Sequence, residues 1–339
     1  MPFRDITGHE RILGLIARAA VRGSLPPSLV FAGPSGVGKS MAAVALAQLV
    51  NCLSPVSVPD STGETPDACG DCNACRKILR GVHPDVQWVR PEESASIKVD
   101  PIRGAIGTAG YRPFEGRRRV TIIDDADRMV DNAQDSLLKT LEEPPAASIF
   151  ILVTSLPEML FPTVRSRCQR LRFGRLAPGD VARILMERHE YVAADAHAAA
   201  ALSDGSVGRA LEGGTDAFRE ARDAALDLLQ AVASTSAPAA RLQGASGLPG
   251  AGRSKADRAA LGQSLLAMSS ILRDLGALMA HADERSMANA DLKKPLEGLL
   301  RAYDSDRVIS AFAHVDTALN ALDRNASPKI VAGWLSLQI

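Results

Sequence analysis

Residues 28 to 50, "SLVFAGPSGVGKSMAAVALAQLV", run from an unbroken apolar stretch through a glycine-rich turn into an alanine-rich segment. That order predicts a strand over Leu29 to Ala32, a loop, and a helix. Further on, "DVQWV" and "VTIID" read as strands, and "NAQDSLLKTLEEPP" as a helix stopped by Pro144 and Pro145. In "SIFILVTS" residues 149–153 are apolar without a break, as in a parallel sheet covered on both faces. Strands alternating with helices indicate an α/β layer architecture.

Past about residue 175 the alternation ends. "PGDVARILMERH" and "DAHAAAALSDGSVGRALEG" predict a small helical unit, and from Phe218 the pattern is helical. The exception is residues 233–254, whose Gly, Pro, Ser and Ala content predicts a mobile loop. Beyond it Leu261, Leu265, Met268, Leu272, Leu275 and Met279 step by 4, 3, 4, 3, 4, which places them on one packed helix face. "SPKIVAGWLSLQI" predicts a final packed helix, and no repeat is visible.

Composition narrows the class. With 339 residues, 46% apolar and 23% charged, the chain suits two or three domains with sizeable cores. Lys plus Arg and Asp plus Glu balance at 39 each, so no global basic field points to DNA, and any DNA contact is local or made through partners. No signal-peptide core opens the sequence and no apolar run reaches the ~18 residues of a membrane span, so a soluble, cytoplasmic protein is expected.

Gly33-Pro34-Ser35-Gly36-Val37-Gly38-Lys39-Ser40 fits G-x-x-x-x-G-K-[ST] at each fixed position. The glycines let backbone N–H groups turn inward around phosphate oxygens, Lys39 neutralises the outer phosphates, and the Ser40 hydroxyl reaches Mg²⁺. In "VTIIDDADRM", Asp124 ends an apolar strand and is the candidate magnesium position; Asp125 is the candidate base. An aspartate there is one methylene shorter than the usual glutamate, about 1.5 Å, and a misplacement of that size can cost ~10²-fold in rate. Four of the five cysteines, Cys52, Cys69, Cys72 and Cys75, fall within 24 residues. Thiolates in tight pairs suit a closed, structural Zn²⁺ site, with His83 as a less simple substitute for Cys52. Cys168 reads as a small buried apolar residue, and Arg117 to Arg119 as a solvated turn. By composition alone Arg167 is one solvated arginine among several.

Taken in order, the phosphate loop, four-cysteine insert, acidic strand, "LLKTLEEPP", "ILVTS" and "SRCQR" resemble the bacterial clamp-loader ATPases of the AAA+ superfamily. The resemblance covers about residues 1 to 215; beyond that the chain is similar only in kind to a ring-forming collar. It implies three domains: an α/β nucleotide-binding domain at 1–174 carrying a zinc module at 52–75, a small helical lid at 175–215, and an all-α collar at 216–339. It also implies ATP, Mg²⁺ and Zn²⁺ as cofactors. Ile6, Gly8 and His9 match the family's adenine-pocket segment, Thr154 (or Ser155) the sensor, and Arg209 the lid arginine that reads the γ-phosphate. Arg167 matches the arginine finger directed at a neighbouring subunit's ATP.

Within the family, "IIDDADRM" and "ILVTSLPEMLFPTVRSRC" resemble the delta-prime branch more than the gamma/tau branch. That implies a hetero-pentamer with gamma/tau and delta subunits, which opens the sliding clamp and loads it on primed DNA. A gamma/tau-type ATPase motor is the nearest alternative. A P-loop enzyme acting on a small molecule is disfavoured, because no substrate-specific acid/base set accompanies the loop.

Overall fold

A computed structural model of the protein describes residues 1–60, 63–91, 96–212, 215–235, 237–252, 255–282, 287–323 and 326–339. The chain divides into two compact units, Met1–Leu176 and Ala177–Ile339.

The first unit is built on strands β1 (Ser28–Ala32), β4 (Val86–Val89), β5 (Arg119–Ile123), β6 (Ser148–Thr154) and β7 (Gln169–Arg172). They form a five-stranded parallel sheet in the order β4-β5-β6-β1-β7. Strands β2 (Val56–Asp60) and β3 (Gly63–Asp67) pair as a separate antiparallel hairpin inside the cysteine insert. Alternate residues of the central strands serve opposite faces of the sheet. Leu29, Phe31, Val120, Ile122, Ile149 and Ile151 face the helices Glu10–Val21 and Lys39–Asn51. Val30, Ile123, Phe150 and Leu152 face the helices Val99–Ala109 and Asp131–Glu142. Covering both faces is why these strands read as continuous apolar runs. In the helix Lys39–Asn51, Ala42, Ala43, Ala45 and Ala47 have no exposed surface, and their small side chains let its backbone lie close to the sheet.

The second unit is helical throughout its described residues. Thr215–Ser234 packs on Lys255–Met279, which packs on Ser305–Asp323. The 4, 3, 4, 3, 4 series lies on the buried face of Lys255–Met279: Leu261, Leu265, Met268, Leu272 and Leu275 are fully buried, and Met279 is half-buried. Among the described residues no helix is long and apolar enough to cross a membrane.

Two expectations need correction. Residues 233–254 are not a loop throughout, because Pro238–Ala245 forms a helix with proline at its first position. Arg241 holds it by donating to the carbonyls of Thr235, Val232 and Ile339. Ala245 and Leu248 are buried beneath it; residues 236, 253 and 254 lie outside the described set. Nor are Arg117 to Arg119 uniformly solvated. Arg119 opens β5 with its guanidinium 3.3 Å from the buried Asp85 carboxylate. Cys168 is half-buried against the sheet face of Val30, Ile123, Phe150 and Leu152, and burial pushes its thiol up to about 12.

Candidate nucleotide and metal sites

Strands β1, β5 and β6 end together, with Ala32 opposite Thr154 and Ile123 opposite Leu152. The sheet therefore brings the phosphate loop, the acidic pair and Thr154 to one edge, outside the carboxyl ends of parallel strands where α/β proteins hold ligands. Gly36 and Gly38 take left-handed backbone, φ 72° and 99°, which side-chain-bearing residues rarely adopt. Gly38 caps the helix Lys39–Asn51, whose free N–H groups and positive dipole end point into the loop. At Gly33 a Cβ would stand 2.2 Å from the Phe173 carbonyl oxygen, so the loop has room only for glycine there.

Lys39 is buried, and its ammonium donates to the Gly33 and Pro34 carbonyls at 2.8 and 2.6 Å. Burial lowers its pKa, opposed by the carboxylates of Asp124, Asp127 and Asp125. Ser40 donates to Asp124 Oδ1 at 2.8 Å, so the two oxygens expected to serve Mg²⁺ are adjacent across 84 residues of sequence. Arg90 Nε approaches the other Asp124 oxygen at 3.6 Å while its guanidinium lies over the Trp88 ring. Asp125 takes left-handed backbone (φ 50°), and its carboxylate is half-exposed, 3.8 Å from Arg128 Nε. Burial and then the Asp124 charge raise its pKa, with Arg128 opposing.

Ile6 and His9 sit against this loop. His9 caps the helix Glu10–Val21 in left-handed backbone, with Nε2 3.0 Å from the Val37 carbonyl and its ring edge-on to Phe173. Burial lowers its pKa. Ile6 is the nearest side chain to a Cβ placed at Gly38. Gly8 has φ 76°, and a Cβ there would meet Leu176 at 2.5 Å.

Thr154 is buried and donates to Asp127 Oδ1 at 2.5 Å, and the Ser155 N–H donates to the same oxygen at 3.1 Å. Asp127 thus fixes the strand end. In sequence its only signal is its place in "DDAD", two residues after Asp125. Arg167 lies in the same unit but is engaged elsewhere, with Glu142 and the Thr163 carbonyl. Arg209 belongs to the second unit, on the helix Val207–Glu212, 4.0 Å from Asp204.

The four clustered cysteines converge. Their sulfurs all lie within 4.8 Å of one another, with Cys52 to Cys69 at 3.5 Å and Cys69 to Cys75 at 4.0 Å. A tetrahedral Zn²⁺ with ~2.3 Å bonds to sulfur requires edges of about 3.8 Å, so the four thiols fit it. Backbone N–H groups of Cys69, Cys72 and Cys75 point at the sulfurs of Cys52, Cys69 and Cys72, while burial pushes the Cys52 and Cys75 thiols up. Burial acts to raise Cys72, but the Cys75 and Leu53 N–H groups outweigh it and bring its pKa to about 7. His83 stands apart from the cluster. Its Nδ1 accepts from the Asp85 N–H at 3.1 Å, and its Nε2 faces Glu115 at 3.5 Å. The module is tied to the N-terminal segment through buried Asp67, which accepts from the backbone N–H groups of Phe3, Arg4 and Ala68.

A phosphate loop, a four-thiol module and an acidic strand tip follow one another along a chain whose parallel sheet runs β4-β5-β6-β1-β7. The family model described as DNA polymerase III, delta subunit, matches residues 8–177, half of the chain. The chain belongs to this family. It is 33% identical over 214 residues to DNA polymerase III subunit tau of Salmonella typhimurium, covering 62% of this chain and 32% of that protein. It is 36% identical over 137 residues to subunit delta' of Pseudomonas aeruginosa, covering 40% of this chain and 39% of that protein. With subunit delta' of Bacillus subtilis it shares 33% identity over 180 residues, covering 53% and 52%. The matches span about a third of the tau relative and no more than about half of the delta' relatives. Both branches of the family are thus represented among the relatives.

Proposed function

We propose that the chain is a delta-prime-type subunit of a hetero-pentameric clamp loader, working with gamma/tau and delta subunits in the cytoplasm to load a sliding clamp on primer-template DNA. Residues 1–174 form its nucleotide-binding domain, 175–215 its lid and 216–339 the collar through which the ring assembles. The observation that carries the reading is Asp125, a short and half-exposed carboxylate at the strand tip where a motor subunit carries glutamate.

ATP would be held by the backbone N–H groups of Gly33 to Ser40 and by Lys39, with the adenine against Ile6, Gly8 and His9. Mg²⁺ would be held by Ser40 beside Asp124, whose oxygens are already 2.8 Å apart. Thr154 and Arg209 would read the γ-phosphate. Zn²⁺ would be held by Cys52, Cys69, Cys72 and Cys75 and would serve the fold, since the site has four protein ligands and leaves no position for substrate. Bound ATP braces the subunit and turns over slowly at this site, while Arg167 stabilises charge developing on a neighbour's phosphate.

The complete phosphate loop favours a second reading, a gamma/tau-type motor. Steady-state ATP hydrolysis separates the two. The purified chain alone should turn over well below ~1 s⁻¹, the lower edge of ordinary enzyme rates. In the reconstituted complex Arg167→Ala should reduce DNA-stimulated hydrolysis and clamp loading while leaving this chain's own ATP affinity unchanged. Hydrolysis by the isolated chain at a motor's rate would establish the second reading.

A further inference from the structure

Arg167 follows the short helix Pro162–Ser166 and precedes β7. Its guanidinium is held rather than free. Nε donates to Glu142 Oε1 at 2.8 Å, Nη2 donates to the same oxygen, and Nη1 donates to the Thr163 carbonyl at 2.9 Å. Glu142 is the last residue of the helix Asp131–Glu142, so the contact joins two elements separated by 25 residues of sequence.

A guanidinium carries five N–H groups in one plane. Among the described residues the three contacts use three of them, and the two left over are one on Nη1 and one on Nη2. Glu142 occupies the edge formed by Nε and Nη2, so one donor remains on each terminal nitrogen, where it can meet a phosphate oxygen. The Arg167 side chain is 31% exposed and that of Glu142 50%, so the pair lies at the surface. Exposed ion pairs add little to stability. The consequence of this pair is therefore orientation: a long side chain with four rotatable bonds is fixed before its target arrives.

We infer that Glu142 is the positioning residue of Arg167, aiming its free donors at a phosphate carried by a neighbouring subunit. The inference rests on the reading of Arg167 as a finger acting in trans. Glu142 touches no phosphate itself and acts through the guanidinium.

The test uses the complete complex with ATP, clamp and primed DNA, reconstituted with Glu142→Ala, Glu142→Gln, Arg167→Ala or the Glu142→Ala/Arg167→Ala double variant. Glu142→Ala should lower the kcat of DNA-stimulated hydrolysis by about three- to tenfold, less than the ~10²-fold that misplacing a group at a lone site can cost. KM for ATP should stay at its wild-type value. Glu142→Gln, which keeps a carbonyl oxygen for Nε and Nη2, should recover part of the loss. The double variant should be no slower than Arg167→Ala alone. A normal kcat for Glu142→Ala beside a reduced kcat for Arg167→Ala overturns the positioning role and leaves the finger standing. A further loss when Glu142→Ala is added to Arg167→Ala also overturns it, because Glu142 would then act independently of the guanidinium. If Arg167→Ala itself runs at the wild-type rate, the finger reading fails and takes this inference with it.

Discussion

Under the proposed reading Asp125 stands where a motor subunit would carry glutamate, one methylene longer. Its left-handed backbone leads directly into the 3-10 turn Ala126–Arg128, where the Arg128 N–H donates to the Asp125 carbonyl at 2.9 Å. Arg128 draws the carboxylate sideways at 3.8 Å. Asp125→Glu should therefore raise single-turnover ATP hydrolysis in the assembled complex, by ~10-fold or more if reach is the main defect. Nucleotide affinity, proposed to rest on Lys39 and the loop, should change little. Rapid-quench measurement of both proteins checks this, and equal rates would move the defect away from Asp125. The neighbouring Asp127 shows what spacing conceals. It has the same chemistry as Asp124 and Asp125, yet its oxygen is committed to Thr154 and Ser155.

Among the elements, the turn before β5 is held from beneath. Buried Asp85, at the entry to β4, accepts from the backbone N–H groups of Phe114, Glu115 and Gly116 at 2.7 to 2.9 Å, and Asn51 accepts from those of Arg117 and Arg118 at 2.8 and 2.9 Å. Burial works to raise the Asp85 pKa, but those N–H groups and Arg119 outweigh it, so its folded value lies below the ordinary one. A carboxylate depressed in the folded state contributes stability above its unfolded pKa of ~3.9 and loses it as pH falls through the lower, folded value. Asp85→Ala should cost ~3 kcal/mol or more at neutral pH, since buried donors are left unmade. It should also flatten the acid limb below about pH 4. Denaturant titrations at pH 7 and pH 3 check both expectations; the difference between the two proteins should shrink at the lower pH.

For the whole molecule, the division at Leu176 separates two units with their own cores. Everything gathered at the phosphate loop and the four thiols lies in the first, while Arg209 and the long helices lie in the second. A fragment ending at residue 176 should therefore retain about one Zn²⁺ per chain, as four thiolates require, and should lose the metal and much of its stability to a strong chelator. It should still bind nucleotide, more weakly for want of Arg209. It should not co-purify with gamma/tau and delta subunits, because the proposed collar is missing. Metal analysis and size-exclusion of the mixed proteins read these outcomes, and a fragment that still enters the ring would place assembly in the first unit.

Local pattern determined much of this protein. Apolar runs revealed β1, β5 and β6 because strands buried on both faces need no polar alternation. The phosphate loop and the cysteine cluster were legible because each works through a few residues at short spacing, where backbone geometry follows directly from residue type. The edge strand β7, whose "QRLR" is mostly exposed, carried no such signal. The helix Pro238–Ala245 has the composition of a loop, and what holds it is Arg241 reaching 98 residues ahead to Ile339. Tertiary structure alone decided the pairings that shape the site: Ser40 with Asp124, Thr154 with Asp127, Arg167 with Glu142, and Asp85 with the turn at 114–116. Each joins residues 25 to 84 apart in sequence. Such partners meet because the strands assemble in the order β4-β5-β6-β1-β7, and helical or strand periodicity encodes which residues share a face, not which strands become neighbours.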